Sequence, residues 1–391
     1  MNRPLGAQVV DGASYSLPFR ETPYFIASRK RIIAAYRGFE SYFPGAAIYY
    51  AMKANSEPGV LRTLVAAGAG FEIASAHELR LLARLSVPPV KIIYGSSIKP
   101  IAHVKECHEY GIDRFAADSF LEVERIAAAA PNARIYIRAR VDDAGSVFQF
   151  SEKFGAEIAS IVPMLQLATA RGLRPYGISF HVGSQASNAA AWANALSALA
   201  PALHGLRDAG IGIEVLNLGG GYPYRYPSAR DAPDLECIAT SITAALERLP
   251  YRPALILEPG RAVIADAVIL VTSVIARVER KGVNWLFLDA GVYNALHETL
   301  AFQGSTQYRV TPIRASADCQ QLRFALAGPT GDSPDVIMRD ALLPSDTRVG
   351  DRLIFHGVGA YSLSVASRFN GFPKPPVYFL EHVASRARVM R

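Results

Sequence analysis

The sequence predicts an α/β chain built as a (β/α)8 barrel plus a C-terminal, mostly antiparallel β domain, and three observations carry that prediction. Eight short apolar runs alternate with Ala- and Leu-rich helical stretches through the first two-thirds of the chain. Beyond about residue 265 the Ala-rich stretches stop, and β-rich runs follow one another across Gly, Pro and Asp turns. Of the 391 residues, 50% are hydrophobic and 19% charged, which suits a compact protein with a substantial core.

The candidate barrel strands are Ala47–Tyr50, Gly70–Ile73, Lys91–Tyr94, Arg114–Ala116, Arg134–Arg138, Gly177–His181, Ile213–Leu218 and Ala254–Glu258. Helix-like segments such as Pro58–Ala67, Ala76–Leu85, Leu121–Ala130 and Ala189–Ala209 separate them. Short strands that are apolar throughout are expected where helices cover the outside of a parallel sheet. Eight such units make a closed barrel over 21–265. The later runs Val268–Val274, Trp285–Leu288, Arg323–Ala327, Arg352–Phe355 and Val377–Leu380 form the β domain, 266–391. Residues 1–20 are expected to complete it, with Tyr15–Pro18 as an edge strand.

Several function classes are disfavoured. No apolar run reaches the length of about 20 residues that a membrane span needs. The opening Met1–Leu5 is followed by Gln8, Asp11 and Ser14 rather than a signal-peptide core, so a cytoplasmic protein is expected. Cys107, Cys237 and Cys319 lie far apart without the spacing of a zinc site, and no metal is expected. The net charge of +7 is scattered, with one tight cluster at Ser28–Arg31, which argues against nucleic acid.

In such a barrel, functional residues gather where strands end. Polar outliers fall there repeatedly: Lys53 after the first strand, Glu72 in the second with Glu78 opening the next helix, and Arg138 and His181 ending two more. Gly219-Gly220-Gly221 follow the seventh strand, and Glu258 precedes Pro259-Gly260-Arg261 after the eighth. Taken singly, a strand-end Lys is a surface residue, a lone His a satisfied rim residue and a glycine run a turn; together on one face they make a site. A glycine run exposes backbone N–H groups to a phosphate. Arg261 adds a permanent, bidentate cation and Ser184 a hydroxyl. Glu258 can keep a pyridine nitrogen protonated, His181 can stack on the ring, and a buried Lys53 of lowered pKa can attack an aldehyde.

These motifs resemble the fold-type III pyridoxal-phosphate amino-acid decarboxylases, the ornithine/lysine/diaminopimelate decarboxylase family with its alanine-racemase-like barrel. The matching segments are Tyr50–Asn55, Phe71–Ser75, Lys153–Gly155, Phe180–Gln185, Gly219–Pro223, Glu258–Arg261, Gly328–Thr330, Gly359–Tyr361 and Phe369–Phe372. The resemblance implies pyridoxal 5′-phosphate as an aldimine on Lys53, held also by Glu72, Arg138, His181, Ser184, the three glycines, Glu258, Gly260, Arg261 and Tyr361. It implies a quinonoid on the way to product. It further implies a head-to-tail homodimer in which the partner's Gly328–Asp335 loop completes each site around a small amino-acid substrate.

Asp332-Ser333-Pro334-Asp335 and Phe369–Phe372 resemble the ornithine/lysine branch, in which an Asp suits a cationic substrate tail; the bland reading of Asp332 is a loop cap. Two positions depart from the family. Where it carries a catalytic cysteine, this chain has Gly331. Protonation at Cα gives an amine, whereas protonation at the cofactor's C4′ gives an aldehyde, and a positioned acid controls that choice. Both outcomes stay open: an ordinary, slower decarboxylase, or decarboxylation coupled to deamination or transamination. Near Tyr293, where ornithine decarboxylases supply an acid for the distal amine, the alignment places Phe302, which would suit a sulfonium held by aromatic faces. Alanine racemases are disfavoured by Glu258, because they place an arginine at the pyridine nitrogen. A non-catalytic regulator would not need Lys53, Glu258, Arg261 and the glycine run together.

Overall fold

The computed structural model describes residues 7–10, 13–16, 20–301, 308–314 and 319–380. The chain divides into two compact units: Ile33–Tyr224 with Asp231–Val263, and Met1–Ile32 with Arg225–Arg230 and Ile264–Arg391.

The first unit holds a closed barrel of eight parallel strands in chain order: β1 (Ala47–Ala51), β2 (Gly70–Ile73), β3 (Ile92–Tyr94), β4 (Arg114–Ala117), β5 (Arg134–Arg138), β6 (Arg174–Ser179), β7 (Val215–Asn217) and β8 (Ala254–Leu257). All eight coincide with the apolar runs read from the sequence, within a few residues at their ends. Some barrel helices start at side-chain caps: Glu57 accepts from Val60 N at 3.0 Å before helix Pro58–Ala66, and Ser75 Oγ accepts from Glu78 N at 3.3 Å before Ala76–Ala83.

Strand alternation sorts the barrel interior into tiers. Tyr49, Ile93, Ala116, Tyr136, Tyr176, Val215 and Ile256 pack together as one buried cluster. Two residues further along the same strands, on the same face, stand Ala51, Gly95, Asp118, Arg138, Asn217 and Glu258. The strand registers therefore carry every inward side chain of the upper tier to the carboxyl end of the barrel. Three tyrosines in the lower tier are an unusual filling. Arg114 Nη1 donates to Tyr49 Oη at 2.6 Å, and the Arg134 guanidinium lies 4.8 Å from the centroid of the Tyr176 ring. Gly70 makes the room, because a Cβ there would lie 2.7 Å from Tyr49 Cδ1.

The second unit is an eight-stranded sheet whose main path runs β11 (Arg309–Pro312), β14 (Arg352–His356), β9 (Val268–Arg280), β10 (Val283–Leu288), β12 (Gln321–Ala327), β13 (Val336–Pro344). Its pairs are antiparallel except β10 with β12, and Val377–Phe379 with Tyr24–Ala27. The N-terminal contribution differs from the expectation. Tyr24–Ala27 pairs with β9, although 21–265 was read as barrel. Ala13–Ser16 instead forms a hairpin with Ala7–Val10, and Leu17 and Pro18 lie outside the described residues. Tyr24–Ala27 is buried at all four positions, so it lacks the alternation that marks a one-sided strand. Among the described residues no helix is long and apolar enough to cross a membrane, and no cluster of His, Cys, Asp and Glu could hold a metal ion.

Gly70→Ala tests the tiers. The added methyl meets a tyrosine ring that Arg114 holds in place, so a loss of about 1–3 kcal/mol is expected. The urea midpoint should fall with an unchanged slope; an unchanged midpoint would contradict the packing.

Candidate active site

A cavity of about 210 Å³ opens within the barrel unit, lined among others by Lys53, Glu72, Arg138, His181 and Glu258. Five residues drawn from five separate strand ends thus converge on one space. Lys53 sits in a single 3-10 turn, Met52–Ala54, directly after β1. Its side chain is 42% exposed, and Nζ lies 2.9 Å from Glu72 Oε2. The expectation of a buried lysine is corrected here, because the ammonium reaches up into the cavity while its carboxylate partner is 2% exposed.

Glu258 follows β8 and is half-buried on the cavity wall. Asn217 Nδ2 donates to Glu258 Oε1 at 2.6 Å, and Asn217 Oδ1 accepts from Gly219 N at 3.0 Å. One amide at the end of β7 therefore fixes both the acid and the start of the glycine run. Burial, reinforced by the neighbouring Glu72 charge, pushes Glu258 up to about 7, against the opposing pull of Lys53, Asn217 and Arg138. Glu78 is likewise pushed up to about 7 by burial, despite accepting from Ala74 N at 2.6 Å.

His181 takes the opposite course. Burial, then the cations Arg138 and Lys53, hold it well below its ordinary value, so the ring is neutral. Gly183 N donates to Nδ1 at 3.1 Å, which leaves the proton on Nε2. The Phe150 ring meets His181 edge-on at 5.0 Å, and Arg138 lies 5.0 Å from the Phe154 ring centroid.

The glycines are required where they stand. Gly219 has φ +64° and Gly221 φ +101°, both in the left-handed region. A Cβ on Gly220 would lie 2.8 Å from the Glu258 carbonyl and 3.0 Å from His181 Nε2. Gly260 lets the chain pass Ala54, whose Cβ would be 3.0 Å from a methyl there. Arg261, 3% exposed, donates from Nη2 to Ser184 Oγ at 3.3 Å.

The remaining sequence candidates belong to the other unit. Tyr293 Oη donates to Asp332 Oδ2, and its ring lies 4.6 Å from that of Phe369. Phe372 N donates to Phe369 O at 3.2 Å. Among the described residues, nothing beyond its chain neighbours lies within 4 Å of a Cβ added at Gly331. Tyr361 has φ +52°. Phe302 lies outside the described residues.

Sequence reasoning missed Asn217 and Phe150. Asn217 had a legible signal, a polar residue at an inward strand end two positions before the first glycine. Phe150 had none, since its place comes from a loop held by Asp143, which accepts from Ser151 N at 2.9 Å.

The donor set fits pyridoxal phosphate: an amine, a neutral imidazole and a half-buried carboxylate line one cavity, and a glycine run on which no side chain could stand lies beside His181 and Glu258. A sequence model of the family described as "Pyridoxal-dependent decarboxylase, pyridoxal binding domain" matches residues 29–265, more than half of the chain. The lysine/ornithine decarboxylase of Selenomonas ruminantium is 32% identical over 362 residues, covering 92% of this chain and 90% of the relative. Antizyme inhibitor 2 of Xenopus laevis is 31% identical, covering 91% and 80%. Among solved structures, SrLDC in complex with PLP and cadaverine superposes with TM-score 0.86 at 30% identity, covering 95% and 94%.

The raised Glu258 makes a pH prediction for the cofactor-free chain. Its protonated form favours folding fully below the ordinary carboxyl value of 4.5, and that contribution is lost as pH rises through about 7. Stability should therefore decline over that interval, and Glu258→Gln should flatten part of the decline in thermal midpoint; an equally steep variant would contradict the burial. With the matched sequence model, the relatives and the shape of the site in agreement, the chain belongs to the fold-type III pyridoxal-phosphate-dependent amino-acid decarboxylases and uses that cofactor.

Proposed function

We propose that the chain decarboxylates a cationic L-amino acid, with lysine, ornithine or a sulfonium-bearing analogue as the substrate class. When bound, the cofactor supplies the electron sink for the bonding pair left at Cα as carbon dioxide departs. The chain's own residues do the rest. Lys53 would provide the amine that binds the cofactor's aldehyde carbon, and Glu72 Oε2, 2.9 Å from Nζ, would hold the proton this amine gives up. Glu258 would hold the pyridine nitrogen protonated, and His181, kept neutral, would offer its uncharged face to the ring. The glycine run, Ser184, Gly260 and Arg261 would hold the phosphate, with Arg138 balancing the acids.

One observation carries the substrate class. Asp332 is an exposed carboxylate presented on the Gly328–Asp335 loop, gripped by the Tyr293 hydroxyl with the Phe369 ring alongside. Asp335 anchors that loop from beneath, accepting from Val292 N at 2.8 Å and from Thr330 N at 3.0 Å. An anion framed by aromatic rings suits a cationic tail. The names of the lysine/ornithine relative and of the cadaverine complex point the same way. We assign this loop to the cavity of a second copy, so that the active form is a homodimer.

Gly331 favours a second reading of the product. No side chain of its own occupies the place beside Asp332, and no neighbour fills the space. Without an acid there, delivery of the proton to Cα is left to water or another group, and an aldehyde becomes accessible alongside the amine.

The test is carbon dioxide release across lysine, ornithine, arginine and sulfonium amino acids, with amine, aldehyde and ammonia measured together. Release from a cationic substrate with matching amine supports the main reading; matching aldehyde supports the second; no release from any of them contradicts both. Gly331→Cys fits without strain, and should raise the amine-forming rate by about 10²-fold, at the lower end for a positioned acid.

A further inference from the structure

The tier of side chains below the cavity contains a hydroxyl that the chemistry above does not yet use. Tyr136 is 1% exposed, in the middle of β5, and its Oη is buried with no hydrogen-bond partner among the described residues. A buried phenol left without an acceptor is costly, and the great majority of buried polar groups find a partner. Its position says where that partner lies. Arg138, two residues on and on the same face, lines the cavity, so Tyr136 stands one tier beneath it.

The acceptors above are two carboxylates. Each has one oxygen accounted for: Glu258 Oε1 by Asn217 Nδ2 at 2.6 Å, and Glu72 Oε2 by Lys53 Nζ at 2.9 Å. Each carboxylate retains further lone pairs. After burial itself, the charges that disfavour ionising the Tyr136 phenol are Glu258 first and Glu72 second. A buried phenol in the tier beneath two carboxylates is a setting in which one ordered water can accept from the hydroxyl and donate to a carboxylate.

We propose that Tyr136 is a positioning residue whose hydroxyl donates through one buried water to the Glu258 carboxylate, and with Asn217 holds it ionised toward the pyridine nitrogen of the cofactor. The inference rests on the placement of Glu258 at that nitrogen in the function proposed above. The need for a second donor is physical. Enclosure and the like charge of Glu72 push Glu258 up to about 7, with Lys53, Asn217 and Arg138 as the opposing influences. An acid that is half protonated near neutrality holds a pyridinium poorly, and each donor to its charged form draws it down.

Tyr222 is the natural comparison. Its hydroxyl is also buried without a partner among the described residues, and Glu258 also disfavours its ionisation. Its ring, however, packs against Phe39 at 4.9 Å and Trp192 at 4.8 Å, in the aromatic layer between the barrel and its helices.

The experiment compares Tyr136→Phe, Tyr222→Phe and wild type as full-length proteins with matching circular dichroism. Two quantities are read across about pH 5 to 9: the thermal midpoint of the cofactor-free chain, and the dissociation constant of pyridoxal phosphate from its absorbance. In Tyr136→Phe the midpoint should fall, the dissociation constant at neutral pH should rise about tenfold, and its pH profile should move upward by about one unit. In a Glu258→Gln background the same substitution should leave the pH profile unmoved. An orphaned hydroxyl predicts the reverse: removing it raises the midpoint and leaves both binding and profile unchanged, which would overturn the proposal. So would a profile moved by Tyr222→Phe and not by Tyr136→Phe. If Glu258→Gln and Lys53→Ala bind the cofactor as wild type does, the underlying site assignment fails instead, and the two failures are told apart.

Discussion

Burial of charge at the carboxyl end of the barrel is the constraint on which the site depends. Two carboxylates, Glu72 and Glu258, line one small cavity, where an isolated anion is disfavoured. The structure answers with Lys53 against Glu72, Asn217 against Glu258, and Arg138 within reach of both fields. The balance is incomplete for Glu258, which stays well above its ordinary value. That unfinished balance makes the pocket receptive to a cationic ring nitrogen, because such a ligand supplies the missing charge. His181 is tuned in the opposite direction by the same enclosure and the same cations, so that its flat face stays uncharged.

The backbone makes this arrangement reachable. Strand alternation lifts one side chain from each strand to the rim, and left-handed glycines let the chain after β7 turn beside His181 and Glu258. Asn217 couples the two halves of the design, since one amide orients the acid with its nitrogen and the glycine turn with its oxygen. Positioning of the acid and shaping of the glycine turn are therefore parts of one local structure.

Much of this was legible in the sequence, for physical reasons. Strands covered on both faces read as short apolar runs, and a Lys, Glu, Arg or His interrupting the end of such a run has few explanations other than a site. The barrel strands and the five ionisable cavity residues were visible on those grounds. What stayed hidden depends on contacts distant in sequence. Tyr24–Ala27 joins a sheet whose other strands begin more than 200 residues later, and four buried residues do not announce which sheet they belong to. Phe150 reaches His181 only because Asp143 folds its loop. Tyr49, Tyr136 and Tyr176 read as ordinary aromatic strand residues, and only barrel closure packs them together in one tier beneath the cavity. Lys53 was expected to be buried, whereas its ion pair draws it toward the cavity mouth.

The central claim is that Lys53 is the amine on which the cofactor chemistry begins. Borohydride reduction of the protein loaded with pyridoxal phosphate, followed by proteolysis and peptide mass mapping, tests it most directly. The account predicts a single pyridoxyl adduct on the peptide carrying Lys53, lost in Lys53→Ala. An adduct on another lysine such as Lys99, or none in protein shown to have bound the cofactor, would contradict it.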